Sequence, residues 1–156
     1  MRIPVSTQEP VRTRESPKPY NERCLRVLFT GATLDWVPSE NVPIRVRSVY
    51  WRSTSSAVAG ARTLHFAMNK VRLLDPPMQS VCAYYGQNVQ HGASQTKYCS
   101  WAIGADAQTW YNTVNVIYET HALGEHIMVP GDWVGFVIIQ GNAADDNVIS
   151  IVYEVL

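Results

Sequence analysis

The fold is read first from Trp133-Val134-Gly135-Phe136-Val137-Ile138-Ile139-Gln140, entered through Val129-Pro130-Gly131-Asp132. Pro130 presets φ and Gly131 takes φ > 0 without steric cost, so 129–132 predicts a turn. The run after it is short, β-branched and apolar at every position but its last, which reads as strand and not helix. A strand apolar on both faces is expected inside a sandwich and not at its rim. A polar loop over 141–147 leads into Val148-Ile149-Ser150-Ile151-Val152-Tyr153-Glu154-Val155-Leu156, a second β-rich run. The two runs predict a hairpin that forms the spine of the core, with Phe136 and Ile138 on one buried face.

Outward from this hairpin, further strands are expected over 24–30, 44–52, 62–70, 79–85, 97–103 and 113–121, eight in all. Strict alternation in 44–52 sends Ile44, Val46, Ser48 and Tyr50 to one face and Arg45, Arg47, Val49 and Trp51 to the other. In 62–70 the inward set is Leu64, Phe66 and Met68. In 113–121 it is Val114, Val116 and Tyr118, leaving Asn115, Glu119 and His121 outside. Residues 31–43 and 53–60 read as loops, and 104–109 has room for one helical turn. Eight strands joined by loops of unequal length, with no helical periodicity and no repeat, predict an all-β fold, an antiparallel jelly-roll sandwich over 24–156. A nine-strand immunoglobulin-like sandwich is the rival, but its Cys…Trp…Cys pattern is missing.

Residues 1–20 hold Pro4, Pro10, Pro17 and Pro19, four of the nine prolines in the chain, and so form neither helix nor central strand. An extended arm over 1–23 is expected. With no core of its own, it is expected to lie on a neighbouring subunit, folding back on its own sandwich being the alternative. Arg2, Pro4, Pro10, Arg12, Arg14, Pro17, Pro19 and Tyr20 are its candidate contact residues.

Composition agrees with self-association. The chain has 156 residues, enough for one self-sufficient core. Charged residues are 17%, against about a quarter in ordinary domains, while aromatics reach 10% with eight Tyr and five Trp. Tyr and Trp are enriched where subunits meet. Formal charge is zero, but residues 1–26 net +3 and the rest −3. That arm is far from the unbroken Lys/Arg block that neutralises a packaged genome, so tight nucleic-acid binding is not expected. Cys24, Cys82 and Cys99 show neither CxxC nor metal spacing, and the odd count argues against a disulfide framework. Buried free thiols are expected. No apolar run reaches 18 residues and no signal-peptide pattern follows Met1, so no membrane partner is expected and synthesis in a host cytoplasm is.

No residue set announces a reaction. Glu119, His121, Glu125 and His126 are the only His/carboxylate cluster, and they read as a solvated strand end before a metal site. His65 and His91 are isolated, which does not suit a cupin-type metal enzyme. Asp145 and Asp146 lack the alternating pattern of a calcium loop and read as plain loop. No Gly-x-Ser-x-Gly and no phosphate loop is present. The expectation is a protein that is not an enzyme and carries no cofactor or metal. Arg45, Arg47 and Arg52, beside Tyr50 and Trp51, form the best basic-aromatic patch. Such a patch can stack on nucleic acid or a sugar acid, or meet a neighbouring copy. Zero net charge favours the protein contact, which makes Arg45, Arg47, Trp51 and Arg52 candidate subunit contacts.

The eight-strand pattern over 24–156, the proline-rich arm and the aromatic excess together resemble virion proteins of the single jelly-roll type. These are small coat proteins and the decoration (cement) proteins of tailed-phage heads. The resemblance implies a virion structural protein whose partners are itself, as a homo-oligomer, and other capsid proteins. The Pro130-Gly131-Asp132-Trp133 lead also looks like that of trimeric jelly-roll heads of the tumour-necrosis-factor and complement type. The alternative is thus a carbohydrate- or receptor-binding module, with Trp36, Trp51, Trp101 or Trp110 as an exposed platform.

Overall fold

The β-branched runs become eleven strands, and no helix forms among the described residues. The structure is a computed structural model that describes residues 21–72 and 78–156; the expected arm contacts from Arg2 to Tyr20 lie outside them. In chain order the strands are β1 (Glu22–Thr30), β2 (Thr33–Trp36), β3 (Ile44–Thr54), β4 (Thr63–Arg72), β5 (Met78–Gly86) and β6 (Thr96–Ala102). They continue with β7 (Gln108–Thr113), β8 (Val116–Ala122), β9 (His126–Met128), β10 (Trp133–Ile139) and β11 (Asp146–Val155). The three beyond the expected eight have local causes. Thr33–Trp36 is too short to carry its own periodicity, and β7 overlaps the segment expected to hold a helical turn only at 108–109, while 104–107 form a turn and loop. β9 is a three-residue ribbon on the start of β3.

The strands form two sheets, a sandwich-like architecture. One runs β1-β11-β3-β6-β8-β7 with β9 beside β3, and the other runs β2-β10-β4-β5. Pairing is nested: β1 with β11, β2 with β10, β3 with β6, β4 with β5, all antiparallel. The terminal hairpin is therefore split. β10 lies inside the smaller sheet and β11 inside the larger, and the loop over 140–145 crosses between them. Gly131 takes φ 97°, as the turn reading requires. Between β6 and β10 the chain makes an excursion: β7 forms the sheet edge, turns at 114–115, and returns as β8, which lies parallel to β6.

The core lies between the sheets. Trp51 and Trp101 from the larger sheet meet Phe136 and Phe66 from the smaller, edge to face at 5.5 and 4.9 Å. Phe66 and Phe136 lie 5.6 Å apart, so the four rings form one continuous cluster. Burial of Val134, Phe136 and Ile138, and of Leu64, Phe66 and Met68, agrees with the alternation in the sequence. β10 is not buried on both faces, however: Val137 and Ile139 are 41% and 47% exposed. Among the described residues nothing covers the outer face of the smaller sheet, so β10 is central in its sheet and half-wet across it.

Two face assignments reverse. In β3, Ser48 pairs with Val152 but Val46 pairs with Tyr153, so Arg47 is an extra residue, a bulge. Alternation changes phase there: Ile44 and Val46 point inward before it, Val49, Trp51 and Ser53 after it. Trp51 is fully buried and its indole N–H donates to Asn147 Oδ1 at 3.1 Å, so it is core and not the subunit contact expected of it. Tyr50 takes the outward place. In β8 the buried set is Ile117, Glu119 and His121, while Val114 is 86% exposed in the turn before the strand. Apolarity misled there, because the inward carboxylate and imidazole have partners that lie elsewhere in the chain.

Candidate functional site

Two ionic clusters sit in the interior. Glu119, expected at a solvated strand end, is buried with His121. Its Oε1 accepts from Val89 N at 2.8 Å and from the Lys97 ammonium; its Oε2 accepts from Asn88 N and His121 Nε2, both at 2.9 Å. Lys97, itself fully buried, also donates to Val89 O at 2.6 Å. Four donors fill the lone-pair directions of one carboxylate. Burial pushes Glu119 up, but the hydrogen bonds from His121, Lys97 and Asn88 N outweigh it and hold the group down to about 2. The Cys99 thiol, Glu119 and His121 offer atoms within 4.8 Å of one another, the geometry of a metal site. A cation there would compete with Lys97 for a carboxylate already filled, and burial pushes the Cys99 thiol far up, away from the thiolate a metal needs. The cluster ties the loop over 87–90 to β6 and β8.

The second cluster joins two loops. Arg62 forks onto Asp145, Nε to Oδ2 and Nη2 to Oδ1 at 3.1 Å each. Its remaining N–H groups donate to Val58 O and Gly60 O at 2.7 Å and to Ser56 Oγ at 3.2 Å. Asp145 also accepts from Ser56 N and Asn142 N at 2.8 Å, so its oxygens are committed and do not form a calcium loop. Burial raises Asp145, but the bonds from Arg62, Ser56 N and Asn142 N bring it down to about 2. Asp146 turns outward and pairs with Arg52 at 3.3 Å.

Exposed chemistry gathers on the outer face of the larger sheet. Register sets Arg26 of β1 opposite Ser150 of β11, Ser150 opposite Tyr50 of β3, and Arg52 of β3 opposite Tyr98 of β6. Parallel pairing puts Tyr98 beside Tyr118 of β8, and Trp110 of β7 lies beside Tyr118 in turn. Trp110, Tyr118 and Tyr98 stack in a row, with ring centroids 5.6 and 4.8 Å apart and planes within 5° and 10°. Tyr50 closes the row 6.4 Å from Tyr98, tilted by 39°. A shallow hollow of about 240 Å³ opens beside it, lined by Arg26, Tyr50, Arg52, Tyr98, Val148 and Ser150.

The three arginines of β3 do not act as one patch. Arg45 is held by Glu125 at 2.9 Å and by Glu154 at 3.3 Å, and Arg47 is exposed at the bulge. Only Arg52 enters the hollow. Arg26, Tyr98, Tyr118 and Trp110 were not singled out from the sequence as one site, because strand register alone brings them together. Of the tryptophans named for a platform, Trp51 and Trp101 are buried, Trp36 is half-buried, and Trp110 is 45% exposed. Cys24 is a free, exposed thiol, not a buried one; Cys99 is free and buried. No helix among the described residues is long and apolar enough to cross a membrane. No protein-family model matches the chain, and no curated protein is significantly similar to it.

Proposed function

We propose that this chain is a virion structural protein, a jelly-roll coat or capsid-decoration subunit that associates with copies of itself and with other capsid proteins. The observation that carries the reading is the nested pairing. Leaving aside the β7–β8–β9 excursion, first pairs with last, second with seventh, third with sixth and fourth with fifth. That order supports the eight-stranded, double Greek-key jelly roll, an architecture that recurs in viral capsids, lectins and cupins. Within that set the interior chemistry weighs against a metal enzyme. The buried Glu119, His121 and Asp145 are held by Lys97, Arg62 and backbone N–H groups. Apolar residues left on the outer face of the smaller sheet, Val137, Ile139 and Tyr84, give a subunit contact something to bury.

The test combines the mass profile of the pure protein in solution with its abundance in purified particles. The expected result is oligomers and a fixed copy number per particle. A chain that stays monomeric at high concentration and is absent from particles overturns the reading.

A further inference from the structure

We propose that the hollow between Arg26, Tyr50, Arg52 and Tyr98 is a binding site for a single carboxylated sugar. Its shape comes from strand register. Ser150 and Val148 of β11 form a low floor, and longer side chains of β1, β3 and β6 stand around it. Strands β1 and β3 are two spacings apart, roughly 10 Å, which leaves a gap about one small ring wide. At about 240 Å³ the space falls short of the ~300–1,000 Å³ clefts that hold drug-sized ligands, and suits one monosaccharide unit.

Its chemistry asks for one anion. Arg26 makes no ion pair among the described residues. Arg52 gives Asp146 only a single 3.3 Å contact through Nη2, and its buried Nε has no partner. Guanidinium N–H groups match a carboxylate in geometry and charge. The rest of the lining fits a saturated, hydroxylated ring: the Tyr50 ring and Val148 meet C–H groups, and the Ser150 and Tyr50 hydroxyls meet ring hydroxyls. Burial and the neighbouring Tyr98 push the Tyr50 hydroxyl up from its ordinary value, which keeps it neutral and able to donate.

The same features disfavour the rivals. Single-stranded nucleic acid needs ring faces free for its bases and a track of cations. Here Tyr98 and Tyr118 stack on each other, and Arg45 along the same strand is taken by Glu125 and Glu154. An acidic side chain from a neighbouring copy would reach the arginines but leave the floor and the Tyr50 ring uncovered.

The test is calorimetric titration of the full chain with glucuronate and with N-acetylneuraminate, alongside glucose and the methyl ester of glucuronic acid. One equivalent of at least one acid is expected to bind, with the ester and glucose weaker by about tenfold or more, as for loss of a charge-assisted hydrogen bond. R26A and R52A should each weaken binding by a similar factor. R26K should recover only part of it, and R47A, outside the hollow, should leave binding unchanged. Arg26 is exposed, so R26A carries the test even if R52A disturbs the sheet. Binding of neither acid, equal binding of acid and ester, or indifference to R26A overturns the proposal. So does tighter binding of a single-stranded oligonucleotide or an acidic peptide. The assay uses the isolated chain, so it can succeed where particle fractionation fails, and the reverse.

Discussion

Replacing Lys97 with Met (K97M) removes the ammonium from the buried Glu119 cluster and keeps the shape of the side chain. Two hydrogen bonds go with it, to Val89 O and to Glu119 Oε1. Glu119 keeps Asn88 N, Val89 N and His121 Nε2, but it becomes a buried carboxylate without its primary amine counter-ion. Breaking a buried pair from one side costs about 3–5 kcal/mol, because the stranded charge keeps its desolvation penalty. That is a large fraction of the ~5–15 kcal/mol of an ordinary domain. At about 2–4 °C per kcal/mol, Tm should fall by roughly 6–20 °C.

Urea unfolding followed by Trp fluorescence reads this directly, since Trp51 and Trp101 are enclosed in the core. The midpoint should drop at constant slope. Adding Glu119→Gln to K97M should cost less than the two single changes summed, by about 1 kcal/mol or more, because the second change removes the stranded charge. A K97M cost below about 1 kcal/mol, or strict additivity in the cycle, refutes the view that ammonium and carboxylate depend on each other.

Truncation of Phe136 to Ala should cost about 3–5 kcal/mol and of Ile138 about 2–5, whereas Ile139→Ala, on the wet face of β10, should stay within about 1; urea midpoints check all three. Stability should fall with acid in two steps. His91 is lowered from 6.5 to about 4, chiefly by burial and then by the Lys97 and Arg62 cations, while Glu119 and Asp145 are lowered from 4.5 and 3.8 to about 2 and share the lower step. In each case the unfolded chain binds more protons between the two values, so stability is complete above the unfolded value and is lost as pH falls through the folded one. The His91 and Glu119 shifts are each worth roughly 3 kcal/mol, and His91→Gln should shrink only the upper step; a level profile between about pH 7 and 4 in the native sequence would count against burial of His91. Deleting residues 2–20 should leave Tm nearly unchanged and weaken association in sedimentation; a large fall in the Tm of the monomer would tie the arm to the fold instead.

The sequence carried the fold wherever one residue's burial follows from its neighbours along the strand. Leu64, Phe66 and Met68, or Val134, Phe136 and Ile138, alternate without interruption and pack as alternation demands. It failed at Glu119 and His121, where burial depends on Lys97 and on the backbone of 88–89, partners 22 to 31 residues away with no local signature. The aromatic row was hidden for the same reason. Tyr98 and Tyr118 meet only because β8 lies parallel to β6, and nothing within either strand announces that direction. The candidate site is a property of register, and register between distant strands is the least local thing a sequence encodes.

Arg47 shows how much one residue decides. As an extra residue opposite an uninterrupted β11, it shifts the phase of β3, so Trp51 enters the core and Tyr50 and Arg52 turn outward to line the hollow. Without Arg47, the sequence Ile44-Arg45-Val46-Ser48-Val49-Tyr50-Trp51 alternates with no break and keeps every observed inward residue inward. A deletion is ordinarily ruinous in a strand, since it turns each following side chain to the opposite face. Deleting Arg47 should instead preserve both faces. The identified loss is the hydrogen bond from Ile103 N to Arg47 O at 3.3 Å, worth about 0.5–1.5 kcal/mol. Deleting Tyr50 should unfold the chain, because Trp51 would be driven outward. If the Arg47 deletion unfolds the protein as thoroughly as the Tyr50 deletion, the bulge is not where the phase of β3 changes, and the outward placing of Tyr50 and Arg52 falls with it.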